Sequence, residues 1–554
     1  SDGATGSQGA TGSQGATGSQ GATGSQGSTG AAGSTGATGA SGSVTALSDA
    51  LVETNSIYLG HDPSATTDNA LANTALGIGA LDTITTGDFN VAFGSRALYS
   101  NTTGSDNLAS GYEALYSNTT GSDNLALGFK ALYNNTTGSD NLALGYRALS
   151  SNTGGAYNTA LGGLALFSNT TGSDNLALGF RALYFNTTGG KNVASGYQAL
   201  YSNTTGANNV VSGYQALFSN TSGGDNAVFG YQALFSNTSG GSNAAFGYQA
   251  LALNIDGGQN TASGYGALRS NTNGNKNSAS GYQALYSNTT GSGNTASGYQ
   301  ALYGNTTGSY NIVFGYQALY SNTTQSGNIA VGDSALYSNA SGTKNMAFGT
   351  STLYANTNGI NNTASGYYAL RNNTTGGSNV GSGYFALYSN TTGTENAGYG
   401  TASLYNNLTG SNNTGIGYYA DVSAGDLTNA TAIGSSALVN ASNKIRLGNT
   451  SVTVIEGQVA FSNASDRRLK KDITNTKYGL QTILELVPID YQLKSNDLSQ
   501  VGFIAQDLKS IIPEAVTGIE GDLEKGETLG IAYTTLIPVL TKAIQEQQAL
   551  IKGQ

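Results

Sequence analysis

Glycine recurs every 17 residues through the middle of the chain, and this spacing limits the possible fold more than any other feature. The phased glycines run from Gly60 to Gly434 without an insertion, and there are 23 of them. Asn stands four residues before the glycine in 21 consecutive repeats, from Asn73 to Asn413, and seven residues after it in 19. A fixed period without insertions indicates that each repeat forms one coil stacked on the previous one.

Seventeen residues are too few for two helices and a turn. The recurring Thr-Thr-Gly-Ser-Asp stretch, as at Thr119–Asp123, is a cluster of turn residues. We therefore expect two short extended segments in each coil, one around Leu-Ala-Leu-Gly-Tyr and one around Ala-Leu-Tyr-Ser-Asn. This pattern predicts an all-β fold, a parallel β-solenoid whose 23 coils, about 4.8 Å apart, extend over roughly 110 Å. Because such a coil is narrow, we expect three chains to share one axis as a homotrimer.

In-register stacking places equivalent side chains above one another. Asn columns are predicted to exchange amide hydrogen bonds along the stack, and aromatic columns are predicted to stack as ladders. The predicted ladders include Tyr99, Tyr116 and Tyr133, and also Tyr197, Tyr214, Tyr231 and Tyr248. An outward polar column is expected at Gln198, Gln215, Gln232 and Gln249.

Two features of the turns have a functional and a structural interpretation. The Asn-Thr-Thr sequences at Asn101, Asn118 and Asn135 are glycosylation sequons, but a turn with an Asn ladder also explains them. Aligned aspartates could bind Ca²⁺ or could be solvated turn residues: Asp106, Asp123, Asp140 and Asp174. The Gly-Gly-x-Gly-x-Asp pattern of calcium-binding β-rolls is absent, which favours turn residues. No metal site and no cofactor are predicted.

Glycine occupies every third position from Gly3 to Gly42, which gives 14 glycines in unbroken register. Only glycine fits at the crowded axis of three wound polyproline-II chains, so the period predicts a collagen-like triple helix. A flexible Gly/Ser/Thr linker is the alternative, because the tract contains no Pro. The chain begins within this register without Met, so we expect further sequence before it in the natural protein.

Composition excludes several functional classes. The chain has no Cys, and therefore no disulfide framework, and its single His61 excludes a His-rich metal centre or a Ser-His-Asp triad. The net charge of −10 argues against nucleic-acid binding. No apolar run approaches the roughly 20 residues of a membrane helix. The last 90 residues hold 22 of the 52 charged side chains, which indicates a conventional globular unit there.

The repeat pattern Asn-x-Ala-x-Gly-x-x-Ala, and especially Ala430–Leu438, resembles the β-roll repeats in the heads of trimeric autotransporter adhesins. The resemblance implies a homotrimer of left-handed β-rolls. The coils of this chain are longer than those usual in that family.

The charge density rises abruptly at the run Ser465–Ile473, in which one Ser precedes two Lys residues. A Ser-Lys pair can support nucleophilic catalysis, and a solvated basic turn is the alternative. Residues five apart on a helix lie about 140° apart, so Ser465 and Lys470 cannot meet on one helical face. They require a loop, or a lysine from a neighbouring protomer.

The same run resembles the start of the intramolecular chaperone auto-processing domain found at the end of many phage tailspikes and tail fibres. Gly502–Asp507 and Ile512–Val516 are similar to the second block of that family, and Tyr533 through the final helix to the third. The resemblance implies a domain that trimerises the chain, guides folding and then cleaves itself off in a single turnover. It also implies Ser465 as the nucleophile, Lys470 as its base and a scissile bond between Ala464 and Ser465, with Lys471 as the reserve base.

Apolar residues at a spacing of three and four end the chain, at Ile537, Leu540, Ile544, Gln547 and Ile551, with one polar position among them. This spacing predicts the seam of a short coiled coil, and the alternative is a single amphipathic helix packed on its own domain.

These features predict five segments: a collagen-like triple helix at 1–43, a neck at 44–59, the solenoid at 60–440, a β neck at 441–464 and the chaperone domain at 465–554. The expected function is a homotrimeric fibre, of the viral tail-fibre or surface-adhesin type, that binds a cell-surface receptor or glycan. Its expected location is the virion surface or the cell exterior. The alternatives are an adhesin that is not cleaved and a solenoid enzyme acting on host polysaccharide, although the repeats offer only scattered acids: Glu113, Asp256, Asp333 and Glu395.

Overall fold

The computed structural model of the chain describes residues 50–53, 56–59, 70–458, 464–494, 497, 499–521 and 528–553. The predicted triple helix at 1–43 and His61 lie outside the described residues. The described chain forms a parallel β-solenoid of 17-residue coils and a small C-terminal domain that ends in a helix. This confirms the predicted solenoid.

Each coil of the solenoid contributes one short strand, and the strands of successive coils pair in parallel. In chain order the strands are β1 (Ala50–Glu53), β2 (Ser56–Leu59), β3 (Thr74–Leu76), β4 (Val91–Phe93), β5 (Leu108–Ser110), β6 (Leu125–Leu127), β7 (Leu142–Leu144), β8 (Thr159–Leu161), β9 (Leu176–Leu178), β10 (Val193–Ser195), β11 (Val210–Ser212), β12 (Ala227–Phe229), β13 (Ala244–Phe246), β14 (Thr261–Ser263), β15 (Ser278–Ser280), β16 (Thr295–Ser297), β17 (Ile312–Phe314), β18 (Ile329–Val331), β19 (Met346–Phe348), β20 (Thr363–Ser365), β21 (Val380–Ser382), β22 (Ala397–Tyr399), β23 (Thr414–Ile416), β24 (Asp421–Val422), β25 (Thr431–Ile433), β26 (Leu438–Val439) and β27 (Ile445–Leu447).

The register between coils is constant up to the end of the solenoid. Partner residues are 17 positions apart, as between Leu108 and Leu125. The final step, from Thr431 to Ile445, covers only 14 positions, so the last coil is shorter than the others. At the other end, β1 pairs with β2 in antiparallel orientation.

Each coil has its own narrow apolar core. In a typical coil, Ala109 from the strand and Ala114 and Leu115 from the following turn are fully buried, and their equivalents recur along the stack. The phased glycines allow the coils to pack this closely, because a Cβ on Gly94 would lie 2.6 Å from the carbonyl oxygen of Gly111 in the next coil. The core of the solenoid therefore lies within a single chain.

Two columns of fully buried Asn side chains run through the coils. In the first, Asn118 Nδ2 donates to Asn101 Oδ1 at 2.8 Å and to the carbonyl oxygen of Gly121 at 2.8 Å. In the second, Asn107 donates through Nδ2 and through its backbone N–H to Asn90 Oδ1, at 3.0 and 3.1 Å. The predicted amide ladders are thus confirmed, and the polar groups at the corners of the coil are satisfied.

The prediction of a second extended segment in each coil is wrong. In the segment that follows Gly111, the backbone takes left-handed φ angles at Glu113 (53°) and Leu115 (52°), so the chain turns inward twice instead of extending. This places Ala114 and Leu115 in the core while their backbone N–H groups still bond. The Leu115 N–H donates to the carbonyl oxygen of Ala131 in the next coil, at 2.9 Å. Among the coils that the structure describes, a second strand is present only near the end of the stack, where β24 pairs with β26.

Two aromatic ladders run along the length of the solenoid, as the sequence predicts. The outer ladder occupies the position directly after the phased glycine, and its rings are exposed, as at Tyr214 and Tyr231, whose centroids lie 5.2 Å apart. The inner ladder occupies the fifth position and is half-buried, as at Tyr99 and Tyr116, 5.1 Å apart. Between them, Gln215 Nε2 donates to the Gln198 side chain at 3.0 Å, so the Gln column is a half-buried amide ladder rather than a fully outward one.

For the Asn-Thr-Thr sequences and for the turn aspartates, the structure favours a structural role over glycosylation or Ca²⁺ binding. The sequon residues Asn101, Asn118 and Asn135 are fully buried with their amides hydrogen-bonded, which leaves them inaccessible to glycosylation in the folded solenoid. The turn aspartates, such as Asp106 and Asp123, are exposed.

A buried acid replaces the core leucine in the last full coil. Asp421 lies at the position that Leu404 occupies one coil earlier, and only 5% of it is exposed. Its carboxylate accepts from the backbone N–H groups of Asn406, at 3.2 Å, and Val422, at 2.8 Å. Burial raises the pKa of Asp421 to about 7, although these two N–H groups favour the charged form.

The C-terminal domain contains short elements around one small core. These elements are α1 (Leu480–Glu485), the hairpin of β28 (Ile489–Gln492) and β29 (Ser499–Gly502), α2 (Ala505–Ile511), the pair β30 (Val516–Gly518) and β31 (Leu529–Ile531), and α3 (Leu536–Gly553). The core consists of Leu508, Ile512, Ala515, Leu536 and Val539. The N-terminus of α1 is held by α3, because Glu546 accepts from the Leu480 N–H at 2.7 Å. This hydrogen bond, together with Lys542, lowers the pKa of Glu546.

The final helix has two apolar faces. One face packs on the domain through Leu536, Val539 and Ala543, as the single-helix alternative expects. The predicted coiled-coil seam lies on the exposed surface, and all five of its residues are exposed: Ile537, Leu540, Ile544, Gln547 and Ile551. In a single chain, this seam has no partner among the described residues.

Candidate active site

The candidate site lies at Ala464–Lys470, ahead of the first helix of the C-terminal domain. Ala464 and Ser465 are exposed, and a single 3₁₀ turn, Arg467–Leu469, follows them after Asp466. The turn reverses the chain within three residues, and Lys470 leaves it in an extended conformation (φ −118°, ψ 140°).

This turn brings the two predicted catalytic side chains together. Lys470 Nζ donates to Ser465 Oγ at 2.6 Å. Of the two routes open from the sequence, a loop and a lysine from a neighbouring protomer, the structure has the loop. Lys470, and not the reserve candidate Lys471, is the lysine at the hydroxyl.

Asp466 holds the turn in shape. Its carboxylate accepts from the backbone N–H of Arg468 at 2.8 Å, which is the usual role of an aspartate at a helix N-cap. The same carboxylate accepts from Arg468 Nη2 at 2.7 Å and from its Nε at 3.1 Å. The Arg468 guanidinium lowers the pKa of Asp466, with a further contribution from the backbone N–H.

The sequence analysis missed the Asp466–Arg468 pair. The order Ser-Asp-Arg-Arg could have indicated this pair, because Asp is a common N-cap residue and stands directly before a short basic turn. The consequence is geometric, because the turn that Asp466 caps sets the distance between Ser465 and Lys470.

Exposure limits what the site can do in a single chain. Ser465 and Lys470 are both exposed to solvent. A lysine serves as a base only as the neutral amine, and desolvation is what favours that form. The hydrogen bond needed for proton transfer between Ser465 and Lys470 is present. Exclusion of water from Lys470 would require another protein surface to cover it.

Within the described part of the chain, no group of three or more His, Asp or Glu side chains is placed to hold a metal ion. None of the helices described is both long enough and apolar enough to cross a membrane.

Two segments of the chain match known protein families. Residues 465–517 match the Peptidase_S74 family, described as chaperone of endosialidase, and the match begins at Ser465. Residues 1–46 match the collagen triple helix repeat (20 copies). No curated protein matches the chain. β31 and α3 lie beyond the first match, so the predicted third block stays a prediction.

The Peptidase_S74 match implies a self-cleaving C-terminal chaperone domain. Joined to a collagen-like N-terminal segment and a β-solenoid, it fits a fibre-like protein of the tail-fibre type.

Proposed function

We propose that this chain is the precursor of a homotrimeric attachment fibre at a virion or cell surface. Its C-terminal domain assembles three chains and then releases itself by cleaving the bond between Ala464 and Ser465. The observation that carries the proposal is the 2.6 Å hydrogen bond between Lys470 Nζ and Ser465 Oγ, at the first residue of the chaperone match.

The surface of the C-terminal domain supports assembly. The exposed seam of α3 presents Ile537 (60% exposed), Ile544 (63%) and Ile551 (59%) on a face adjacent to its packed face. An apolar stripe of this kind on a helix is the usual interface of a short coiled coil. The collagen-like match supports three as the number of chains, because a collagen helix requires three strands.

The chemistry follows from the position of the nucleophile beside its own bond. Neutral Lys470 accepts the Ser465 hydroxyl proton while Oγ attacks the carbonyl carbon of Ala464. The C–N bond breaks, the Ser465 nitrogen takes the proton from Lys470, and Ala464 is left as an ester on Oγ. Water then hydrolyses the ester, which returns the hydroxyl and releases an Ala464 carboxylate. The net reaction is hydrolysis of one peptide bond.

The exposure of the dyad couples cleavage to assembly. In one chain the two side chains are in water, and a neighbouring protomer that covers them would supply the desolvation that the base needs. Cleavage then follows correct trimerisation. Once the domain has left, the solenoid keeps its own contacts, so the product is held by a kinetic barrier.

The alternative of a polysaccharide-degrading solenoid gains no support. Glu113, one of its scattered acids, is buried and engaged by Lys130 at 3.1 Å and Arg96 at 3.5 Å. A glycosidase needs a pair of free carboxyl groups about 5–10 Å apart. Attachment is therefore the function we propose for the solenoid.

Cleavage is tested on the full chain by a denaturing gel and by N-terminal sequencing of the smaller fragment. We expect wild-type protein to release a fragment that begins at Ser465. Ser465→Ala and Lys470→Ala should slow cleavage by at least about 10³-fold, because a dyad works as a unit. Lys471→Ala is the matched control and should cleave normally. Cleavage of Ser465→Ala, or a fragment with another N-terminus, would overturn the site assignment.

Assembly is tested by the native mass of the same samples. Ile544→Asp places a charge in the exposed seam and should abolish the trimer, whereas Gln545→Asp on the neighbouring exposed position should leave it intact. A stable wild-type monomer, or a trimer of Ile544→Asp, would contradict assembly through this helix.

A further inference from the structure

The outer ladder is interrupted near the end of the solenoid. In an unbroken ladder, each ring is covered on both faces by the rings of the adjacent coils, as Tyr299 is by Tyr282 and Tyr316 at 5.1 Å on either side. Only the ring edges then reach solvent. Where a ring is missing, the faces of its two neighbours are uncovered.

The coil after Gly400 lacks its ring. Thr401 takes the place of the outer-ladder residue, and Ala402 takes the next position, which holds Phe385 one coil before and Tyr419 one coil after. The inner ladder also ends here: Tyr405 stacks on Tyr388 at 5.3 Å, and Val422, at the following position of that column, is buried in the core.

The result is a cavity of about 430 Å³ lined by Tyr384, Phe385, Ala402, Tyr405 and Tyr419. Ala402 forms the floor and is 3% exposed. The Phe385 ring stands edge-on to Tyr384, with centroids 4.4 Å apart, and lies 6.2 Å from Tyr405. Four aromatic rings therefore surround one recess that opens to solvent.

The height of the recess suits a single six-membered ring. Tyr384 and Tyr419, which both line the recess, lie two coils apart, which corresponds to about 10 Å along the stack at about 4.8 Å per coil. A ring placed midway would lie about 5 Å from each, within the usual range of about 4.5–7 Å for ring contacts. The volume lies in the usual range for small-molecule sites, roughly 300–1,000 Å³.

The lining specifies the chemistry of that ring. No charged side chain lines the recess, so a ligand there is not held by an ion pair. The negative faces of the aromatic rings attract weakly positive C–H groups, and the tyrosine hydroxyls donate and accept hydrogen bonds. A pyranose has a C–H face and a rim of hydroxyl groups, and it matches both features.

We propose that this recess, the Thr401 notch, binds one neutral pyranose residue of a surface glycan. The inference rests on the proposed attachment function and assigns it to a specific site. A second copy of the chain fits the notch less well, because a repeating interface would contact every coil alike and would leave an unfilled void at this one. The notch is a departure from the repeat, as a ligand site on a uniform scaffold requires.

The test fills the notch without disturbing the fold. Thr401→Tyr restores the missing ring, so it should preserve the solenoid and remove the recess. Gly163→Tyr is the matched control: Gly163 is another gap in the outer ladder, and a Cβ there meets only the Phe180 ring, at 3.5 Å. A second variant, Tyr384→Ala, removes one stacking face instead of filling the space.

Binding is measured by saturation-transfer NMR on the full-length protein. The probes are methyl α-D-glucopyranoside, methyl α-D-mannopyranoside, methyl β-D-galactopyranoside and N-acetylglucosamine, with tetramethylammonium as a cationic comparison. We expect at least one pyranoside to bind wild type and Gly163→Tyr equally. Thr401→Tyr and Tyr384→Ala should each weaken that binding at least tenfold.

Three results would overturn the inference: no pyranoside binds wild type, Thr401→Tyr binds as well as wild type, or only tetramethylammonium binds. The gel and native mass of the same samples separate this outcome from failure of the proposed function. A wild-type protein that is trimeric and cleaved but binds no pyranoside refutes the notch alone. An uncleaved monomer that binds through the notch refutes the fibre and keeps the site.

Discussion

The solenoid and the C-terminal domain bury their apolar residues in opposite ways. In the solenoid, each coil from Leu81 to Leu404 encloses its own leucine, and the buried amides of Asn101 and its equivalents bond to the adjacent coils. The C-terminal domain has one small buried core and leaves large apolar side chains in water, including Leu484 (71% exposed) and Val501 (74%). The solenoid is complete within one chain, and the C-terminal domain is not.

This difference separates the stability of the fibre from its assembly. Coils that contact only their neighbours add stability step by step, and a register error between three chains would be costly to undo. A domain with unsatisfied surface can bring the chains together in register first. Because it holds few of the solenoid's contacts, the cleavage proposed above would leave the solenoid intact.

The largest effect is expected from a methyl group on a phased glycine. In Gly128→Ala, the new Cβ would lie 2.6 Å from the carbonyl oxygen of Gly145, at a backbone φ of 139°. We expect a local loss of stability of about 4 kcal/mol or more. Amide hydrogen exchange should show opening of the coils around 128, while Gly163→Ala, which has room for its Cβ, should exchange like wild type. Equal protection in both variants would show that the coils are not closely packed.

The next effect depends on pH. The folded pKa of Asp421 is about 7 and its ordinary value is 3.8, so between these values the folded state holds a proton that the unfolded state has released. Stability should therefore fall as pH rises from about 4 to 7, by up to about 4 kcal/mol. Asp421→Asn should remove this slope, and the exposed Asp426→Asn should keep it, as measured by denaturant unfolding at each pH. A slope in Asp421→Asn equal to that of wild type would refute the assignment.

A smaller effect is expected from one rung of an Asn ladder. Asn118→Ala leaves Asn101 Oδ1 without its donor, and it removes one of two donors to the Gly121 carbonyl and one of two acceptors of Asn135 Nδ2. The cost should be about 3 kcal/mol, seen as local hydrogen exchange. Ser117→Ala, at the adjacent half-buried position, should cost little. Equal hydrogen exchange in the two variants would show that the Asn ladder does not stabilise the stacked coils.

The smallest effect concerns the C-terminal domain. Asp466→Ala removes the cap of the turn that places Lys470 on Ser465, and cleavage should slow about 10–100-fold. Asp466→Asn keeps the acceptor for the Arg468 N–H and should recover part of the rate, and Arg467→Ala in the same turn should change it little. The pH of half-maximal rate should not move, because Asp466 positions the base and does not replace it. A shifted pH profile would assign Asp466 a direct role in proton transfer.

The sequence predicts the repeating part of the molecule well because repetition removes ambiguity. A column of 19 Asn residues at one position of the repeat predicts an amide ladder whether or not its members are also sequons, and the aromatic ladders follow from the same register. The sequence did not predict the left-handed turns at Glu113 and Leu115, because Leu rarely takes positive φ and only the packing of the whole coil imposes it. It also did not separate the exposed outer ladder from the half-buried inner one.

At the candidate site, the residue types and their order were predictable, and their geometry was not. A spacing of five positions excludes a shared helical face, but it does not select between a turn and a neighbouring chain. The choice of Lys470 over Lys471 depends on one 3₁₀ turn and on the cap at Asp466. The notch at Thr401 was not predicted because two small residues in one repeat are unremarkable in the sequence, and only the structure shows that aromatic residues of three coils line one recess there.

The constant step of 17 residues between paired strands has a consequence for heredity. A deletion or duplication of 51 nucleotides in the coding sequence would remove or add one whole coil while leaving every other strand pairing as it was. The length of the solenoid is then set by the number of repeats, which unequal recombination can change without creating a new kind of contact.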